Sequence, residues 1–311
     1  MKKEKISRSP LFYVGDKYKL VREIKTHFPT TINRFIEPFV GGGSVFLNIN
    51  ANEYLLNDID RYVINIHHFL SFYIGKEGNF FDLIFSIIEK YNLSFSYKKD
   101  IVPIELKQQH KKTYFAHFNK QNFNQLKADY NNSNERNIAE LYVLLIYGFN
   151  RMLRFNSKNE YNLPVGNVDF NANVYNALSD YFNLSSTKKT NWYCQDFKQF
   201  LDSIEYQQDD FIYLDPPYLI TFSEYNKLWN ENTEIELLQT LDNLNKKGIR
   251  FAISNVTHYK EKENCQFIDW SKKYNNYQIK SNYISYHDNT IKKFNEVLVT
   301  NYDKPRRKKS T

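Results

Sequence analysis

The sequence contains little cysteine and no long apolar run. Two of its 311 residues are cysteine, Cys194 and Cys265. They are too few for a disulfide framework and lack the paired spacing of a zinc site, so we expect no metal centre and a reducing, cytoplasmic environment. No apolar stretch approaches the roughly 18 residues that span a bilayer, and no apolar segment follows the charged N-terminus as in a secretory signal. These absences argue against a membrane protein and against a secreted one.

The composition is that of a chain that can bury a core. Hydrophobic residues make up 41% and charged residues 25% of the 311 residues, enough for one large domain or two modest ones. The net charge is +7 and the aromatic share is 17%. The positive charge favours a polyanion such as nucleic acid, and aromatic rings can stack on bases. Solubility and core packing would explain the same two features, so they do not decide function.

The pattern of apolar residues predicts an α/β fold. Short apolar runs at 34–40, 53–56, 211–214, 250–254 and 296–300 are typical of buried strands. Helical spacing follows the first two runs, in the segment opened by Ser44 and in 61–73, and it recurs at 234–244. The stretch from about 74 to 191 is polar, contains short helical patterns such as 139–149, and shows no strand–helix alternation. The simplest interpretation is an α/β domain with an inserted second domain.

A glycine-rich turn follows the first predicted strand. Gly41, Gly42 and Gly43 precede a helix, and Asp58 ends the next strand. This order is used to hold a nucleoside-bearing cofactor, because glycine allows close approach of the backbone and the acid accepts from a ribose hydroxyl. The turn lacks the third glycine of the dinucleotide fingerprint and the Lys-Ser/Thr pair of a P-loop. A purely structural tight turn remains an alternative.

The tetrapeptide Asp215-Pro216-Pro217-Tyr218 ends the strand predicted at 211–214. Consecutive prolines fix the backbone, so that an acid and a rigid carbonyl can accept hydrogen bonds from one exocyclic amine while the tyrosine ring stacks on its base. A carboxylate also stabilises the positive charge that develops on that nitrogen during methyl transfer. The alternative is a proline turn that simply terminates the strand.

Together these motifs resemble the Dam-like (D12 class, α-group) DNA adenine-N6 methyltransferases. The resemblance extends over nearly the whole chain in the family's order, through segments 13–18, 37–48, 57–59, 215–218, 251–255 and 296–302. It implies a Rossmann-like class I fold that uses S-adenosylmethionine without a metal, and it implies double-stranded DNA as the partner. Residues 1–73 and 192–303 would form the catalytic domain, 74–191 a mostly helical target-recognition domain, and 304–311 a basic tail.

The resemblance also implies roles for individual residues. The catalytic group would be Asp215, Pro216 and Tyr218. The residues expected to contact the cofactor are Tyr13, Lys17, Phe39, Gly41, Gly43, Asp58, Asp196, Phe197 and Asp215. The family's Gly-Ala-Gly appears here as Gly41-Gly42-Gly43, which leaves the loop at least as permissive.

One segment of the insert, 150–166, resembles the part of these enzymes that reads GATC. Arg154 falls where the family places an arginine on a guanine, and Arg151 is a candidate phosphate contact or second reader. Asn156 and Pro164 complete the residues expected at DNA. Without the resemblance, ordinary surface ion pairs would be the better explanation of both arginines.

Three other functions compete with this interpretation. A methyltransferase acting on RNA or protein usually begins the tetrapeptide with Asn, and here Asp215 stands in its place. A nicotinamide-dependent oxidoreductase is disfavoured by the missing third glycine. A DNA-binding protein without catalysis would have no use for Asp215. We expect a cytoplasmic enzyme of bacterial or phage origin that either protects DNA alongside a restriction endonuclease or works alone.

Overall fold

The computed structural model describes residues 5–221, 229–280 and 294–304. They form two compact units. The sheet unit comprises Lys17–Val40, Asn48–Ile59 and Lys188–Thr311, and the helical unit comprises Met1–Asp16, Gly41–Leu47 and Asp60–Thr187. Residues 305–311 of the expected basic tail lie outside the described residues. No helix in the described ranges has the length and apolar character to cross a membrane.

The described residues of the sheet unit form eight strands. They are β1 (Arg34–Glu37), β2 (Glu53–Asn57), β3 (Thr190–Tyr193), β4 (Phe211–Leu214), β5 (Arg250–Tyr259), β6 (Lys262–Glu263), β7 (Asn275–Ile279) and β8 (Phe294–Thr300). The order across the sheet is β3-β2-β1-β4-β5-β8-β7, with β6 paired to β5. The first five strands run parallel, whereas β8 is antiparallel to both of its neighbours. The expectation of an α/β fold is confirmed.

Helices occupy both units. Those described are α1 (Val21–Ile24), α2 (Ser44–Leu47), α3 (Arg61–Phe72), α4 (Glu77–Lys90), α5 (Ile104–Gln109), α6 (Tyr114–Asn132), α7 (Ile138–Tyr147), α8 (Ala172–Ser185), α9 (Phe197–Asp202), α10 (Glu231–Lys246) and α11 (Cys265–Ser271). In the sheet unit, α9, α10 and α11 contribute to one apolar core with the central strands. Residues of that core include Ile212, Leu214, Leu237 and Phe251, each fully buried.

The strand pairing determines where a ligand can bind. β4 is apolar throughout and buried on both faces, as expected of a central parallel strand. It lies beside β1, and the connection out of β1 leads to β2 on its other side. Such a reversal of strand order opens a crevice at the carboxyl ends of the strands, where open α/β sheets bind ligands. Glu37 ends β1 and Asp215 follows β4 at this edge.

The helical unit contains α2 to α8. α7 is buried on all sides, which accounts for its almost uninterrupted apolar sequence. After α7 a short 3₁₀ turn, Phe149–Arg151, leads into a loop that returns through the isolated bridges Gly148–Val165 and Phe155–Tyr161. The segment that resembles the DNA-reading part of the family is therefore an irregular hairpin anchored at the end of α7.

Candidate functional site

Four polar side chains meet beyond the carboxyl end of β4 in the sheet unit. Lys17 Nζ lies 2.7 Å from Asp215 Oδ2 and 3.8 Å from Glu296 Oε1. The Tyr218 hydroxyl lies 3.0 Å from Asp215 Oδ1 and 3.0 Å from Glu296 Oε1. Glu296 and Lys17 are almost fully buried, whereas the Asp215 side chain keeps 18% of its surface exposed. Asp215 is therefore easier for a ligand to reach than Lys17 or Glu296.

The electrostatics of the cluster keep Tyr218 protonated. Burial raises the pKa of its hydroxyl well above the usual 10, and the negative charges of Asp215 and Glu296 raise it further. Tyr213 lies on β4, next to its last residue. Burial raises the pKa of Tyr213, and the charges of Asp215, Glu37 and Glu296 raise it further. Three carboxylates thus gather around the end of this strand, and Lys17 compensates part of their charge.

The Asp215 carboxylate retains capacity for another donor. Each carboxylate has about four acceptor positions, and the contacts to Lys17 and Tyr218 use one on each oxygen. Lys17 Nζ also lies 5.0 Å from the centroid of the Tyr218 ring. Pro216, which follows Asp215, is buried. The expected catalytic residues Asp215, Pro216 and Tyr218 therefore stand next to a lysine that the sequence suggested for cofactor contact.

Asn57 joins the carboxyl ends of three strands. Its Nδ2 donates to the carbonyls of Pro38 and Gln195, at 3.0 Å each. Its Oδ1 accepts from the Gln195 backbone N–H at 3.0 Å, and its own carbonyl accepts from Val40 N–H at 2.8 Å. The residue is completely buried. It fixes the loops after β1 and β3 against the end of β2.

The two acids expected at the cofactor follow the strands that Asn57 holds. Asp58 follows β2, is half-buried, and its backbone N–H donates to the Tyr193 carbonyl at 3.3 Å. Asp196 follows β3, and its carboxylate caps α9 by accepting from Lys198 N–H at 2.8 Å. The cap occupies one oxygen of Asp196, so the second oxygen is the one that can accept from a ligand.

Apolar rings line the same edge of the sheet unit. Phe39 lies 5.5 Å from Phe197 and 5.7 Å from Trp229, measured between ring centroids. Phe197 is 4% exposed, so it contributes mainly to the core. Phe39 packs against that core while remaining partly accessible, and of the two rings it is the better placed to touch a ligand.

The glycine loop belongs to the helical unit. Gly41 and Gly43 have φ of +47° and +78°, in the left-handed region that favours glycine. A Cβ on Gly43 would lie 2.4 Å from the Phe46 ring, and one on Gly42 would lie 2.8 Å from Tyr13 Cβ. Tyr13 therefore packs closely on the loop.

His67 on α3 holds the glycine loop through a hydrogen bond to its backbone. Its Nε2 lies 2.9 Å from the Gly41 carbonyl, and because a carbonyl can only accept, Nε2 carries the proton. His67 is fully buried, and burial, opposed by the bond to Gly41, lowers its pKa to about 4. The imidazole is consequently neutral at physiological pH.

The segment 150–166 holds the residues expected at DNA in different environments. Arg154 Nε donates to Asn162 Oδ1 at 2.9 Å, and its Nη2 donates to the Asn162 carbonyl at 3.2 Å. The guanidinium is therefore oriented by one neighbour. Asn156 is engaged within its own turn, since its Oδ1 accepts from Glu160 N–H at 3.0 Å and its Nδ2 donates to Glu160 Oε2 at 2.7 Å. These bonds shape the turn that carries Arg154.

Pro164 and Arg151 complete the segment. Pro164 is exposed, and its carbonyl accepts from Phe149 N–H at 2.9 Å. Arg151 is largely buried, with its Cζ 4.0 Å from the centroid of the Phe12 ring. Of the expected DNA contacts, Pro164 is thus the most exposed, whereas the Arg151 guanidinium lies over an aromatic ring.

Sequence reasoning missed Asn57, His67 and Glu296. Asn57 and Glu296 lie inside the segments that carry the family resemblance, but nothing local to either residue indicates a long-range contact. His67 lies on the apolar face of a predicted helix, where a core histidine is the ordinary interpretation. Within the described ranges no group of three or more His, Cys, Asp or Glu side chains could hold a metal ion.

The strand order with an antiparallel β8 between β5 and β7, and an acid after β4, are those of a class I methyltransferase. Comparison with known families identifies the branch. Residues 13–285 match the D12 class N6 adenine-specific DNA methyltransferase family. The chain belongs to this family, as its motifs predicted.

Individual relatives carry consistent names. The chain is 36% identical over 307 residues to the type II methyltransferase M.FokI of Planomicrobium okeanokoites, covering 95% of this chain and 43% of that protein. It is 34% identical to the modification methylase StsI of Streptococcus sanguinis, covering 96% and 44%. It is 32% identical to a DNA adenine methylase of Haemophilus influenzae, covering 76% and 73%. The chain thus spans less than half the length of the first two relatives.

Proposed function

We propose that the protein is a site-specific DNA adenine-N6 methyltransferase that takes its methyl group from S-adenosylmethionine. The observation that carries the proposal is the cluster at the end of β4, where Asp215 keeps accessible acceptor positions beside Tyr218. Membership of an adenine-specific DNA methyltransferase family supports it independently. As an enzyme acting on DNA it would work in the cytoplasm.

The residues present fit the proposed cofactor. Asp58 is a half-buried acid at the end of β2, as a ribose diol requires. Gly41 and Gly43 adopt the positive φ that a tight glycine loop needs, and Phe39 offers an apolar ring beside Phe197. We assign Asp58 and Asp196 to the nucleoside and Phe39, Gly41 and Gly43 to the rest of the cofactor. We assign Tyr13 to support of the glycine loop and Lys17 to charge compensation at Asp215.

The chemistry needs few groups from the protein. S-adenosylmethionine, when bound, supplies an electrophilic methyl group on a sulfonium. Asp215 and the carbonyl of Pro216 accept hydrogen bonds from the target amine, which favours the pyramidal nitrogen that can attack. The carboxylate also stabilises the positive charge that grows on that nitrogen. Tyr218 offers its ring to the base, and its hydroxyl stays protonated because of burial and the nearby acids.

The target adenine has to leave the duplex for this chemistry. Extrusion costs a few kcal/mol, part of which stacking on Tyr218 can recover. We propose that residues 74–191 recognise the surrounding sequence, with Arg154 reading a guanine and with Arg151, Asn156 and Pro164 in the same interface. Arg154 is already oriented by Asn162, which reduces the entropy lost when it binds a base. GATC is the sequence that the resemblance of segment 150–166 suggests.

The experiment that tests this supplies purified protein with labelled S-adenosylmethionine and two duplexes, one with GATC and one with that site scrambled. Labelled N6-methyladenine in the GATC duplex alone supports reaction, substrate and sequence together. Label in both duplexes supports the reaction but shows that the recognised sequence is not GATC. Mapping of N6-methyladenine in plasmid DNA then identifies the recognised sequence. Label on RNA or protein instead, or no transfer to DNA by folded protein, refutes the proposal.

We further propose that the enzyme protects DNA from a restriction endonuclease. The names of two relatives, a type II methyltransferase and a modification methylase, support this role. Plasmid DNA methylated by the protein should resist cleavage by an endonuclease that recognises the mapped sequence. Complete cleavage of fully methylated plasmid would contradict a protective role.

A further inference from the structure

Two arginine side chains contact one phenylalanine ring in the helical unit. The guanidinium carbon of Arg8 lies 4.6 Å from the centroid of the Phe12 ring, and that of Arg151 lies 4.0 Å from it. Phe12 is 5% exposed. The Phe12 ring is therefore in contact with two positively charged guanidinium groups, which come from distant parts of the chain.

The positive charge of Arg151 has little compensation. Its buried Nε has no hydrogen-bond partner, and no ion pair of its guanidinium is found among the described residues. Burial, followed by the charge of Arg8, lowers the pKa of Arg151 to about 10, against weaker opposing effects of Tyr142 and Asp169. Arg8 has an acid at hand, since Asp16 Oδ2 lies 4.0 Å from Arg8 Nε. Burying a cation without a paired acid destabilises a fold.

The backbone that holds this arrangement is strained. Phe12 has a φ of +50°, and Asn150 and Arg151 have φ of +54° and +50°, all in the left-handed region that non-glycine residues rarely adopt. The Tyr142 hydroxyl holds the chain just before Phe12 by donating to the Pro10 carbonyl at 3.0 Å. Backbone strain of this kind persists where the surrounding structure enforces it, and it concentrates at binding sites.

We propose that Arg151 and Arg8, stacked on Phe12, form a binding site for a pair of acceptor atoms on duplex DNA. The acceptors are either the O6 and N7 atoms of a guanine or two oxygens of a backbone phosphate. A stacked guanidinium presents its N–H groups in one plane, which matches both pairs. The inference rests on the proposed function for its DNA partner and assigns Arg8 and Phe12 roles beside Arg151.

Stability and binding should respond in opposite directions. Arg151→Gly removes an uncompensated buried charge and places glycine at a positive φ, so Tm should stay the same or rise. DNA affinity should fall by about 10- to 100-fold if two hydrogen bonds to a guanine are lost. A residue with a merely structural role would lower Tm together with binding.

The experiment measures the Kd of each variant for the mapped sequence and for a scrambled duplex at several salt concentrations. The Tm of each variant and its Kd for S-adenosylmethionine are measured in parallel. The variants are Arg151→Gly, Arg151→Lys and Arg8→Ala. Arg22→Ala, at an exposed residue of α1, controls for the loss of one positive charge. Selective loss on the mapped sequence in Arg151→Gly, unrelieved in Arg151→Lys, supports a guanine. Equal loss on both duplexes and a salt slope smaller by about one support a phosphate.

Two results would overturn the inference. One is a Kd in Arg151→Gly that matches Arg22→Ala on both duplexes. The other is a clear fall in Tm accompanied by loss of cofactor binding, which would show that Arg151 serves the fold. Failure of the wild-type protein to methylate DNA bears on the proposed function instead, because the binding measurements need no methyl transfer.

Discussion

Replacing Asn57 should weaken both the sheet unit and its affinity for S-adenosylmethionine. The side chain is fully buried and makes three hydrogen bonds, two to the carbonyls of Pro38 and Gln195 and one from Gln195 N–H. Asn57→Ala leaves all three backbone groups without that partner. At about 1 kcal/mol net for each bond, the free energy of unfolding should fall by roughly 3 kcal/mol.

Asn57→Asp makes a sharper version of the same change. At neutral pH its carboxylate would face the carbonyls of Pro38 and Gln195, so repulsion and burial of a charge add to the two lost bonds. We therefore expect Asn57→Asp to be less stable than Asn57→Ala at pH 8. It should recover partly toward pH 5, because a protonated carboxyl can donate one hydrogen bond. The Ala variant has no such group to titrate.

Thermal unfolding and calorimetric titration with S-adenosylmethionine measure the two effects. A loss of roughly 3 kcal/mol corresponds to a fall in Tm of about 6–12 °C for a unit of this size. Cofactor affinity should fall as well, because Asp58 and the loop leading to Asp196 lose their common anchor. The matched control is Asn276→Ala, an exposed asparagine on β7 whose Nδ2 donates to the Ser271 carbonyl at 2.7 Å. If Asn57→Ala unfolds and binds cofactor like that control, the structural reasoning is wrong.

Three further predictions concern the cluster at the end of β4, the segment 150–166 and the glycine loop. Asp215→Ala should abolish methyl transfer while S-adenosylmethionine and DNA still bind; full turnover, against the exposed control Asp202→Ala, would refute the mechanism. Arg154→Ala should relax sequence preference more than it changes cofactor affinity, and an unaltered profile of methylated sites would reject its assignment. The pKa of His67 is about 4 in the folded protein against a usual 6.5, so the folded protein binds this proton more weakly than the unfolded chain. The contribution of His67 to the free energy of unfolding is therefore present above pH 6.5 and is lost as the pH falls toward 4. When the pH is lowered from 8 to 5, titration of His67 should reduce the free energy of unfolding by about 2 kcal/mol. If His67→Gln loses stability with pH just as the wild-type protein does, the neutral, buried state assigned to His67 is wrong.

Local sequence predicted most elements because their patterns are self-sufficient. β4 occupies 211–214 as expected, since an unbroken apolar run is stopped by an acid and two prolines. The helix expected at 234–244 is longer, Glu231–Lys246, because Asn230 caps it earlier by accepting from Asn232 and Thr233 N–H. β5 also extends beyond the expected 250–254 to Tyr259, where pairing with β8 continues past a bulge. Periodicity indicates an element, but caps and pairing partners set its ends.

The sequence by itself determined the family and the α/β class, and it predicted the chemistry of the Asp-Pro-Pro-Tyr segment, because these depend on residue types at short spacing. Only the tertiary structure decided which distant groups lie beside that segment. Lys17 and Glu296 reach Asp215 and Tyr218 because β8 returns antiparallel beside β5 and the N-terminal part of the sheet unit packs near the end of β4. The stacking of Arg8 and Arg151 on one ring likewise has no local signal. Contacts between residues far apart in the chain depend on strand order and packing, which short-range patterns of residues do not encode.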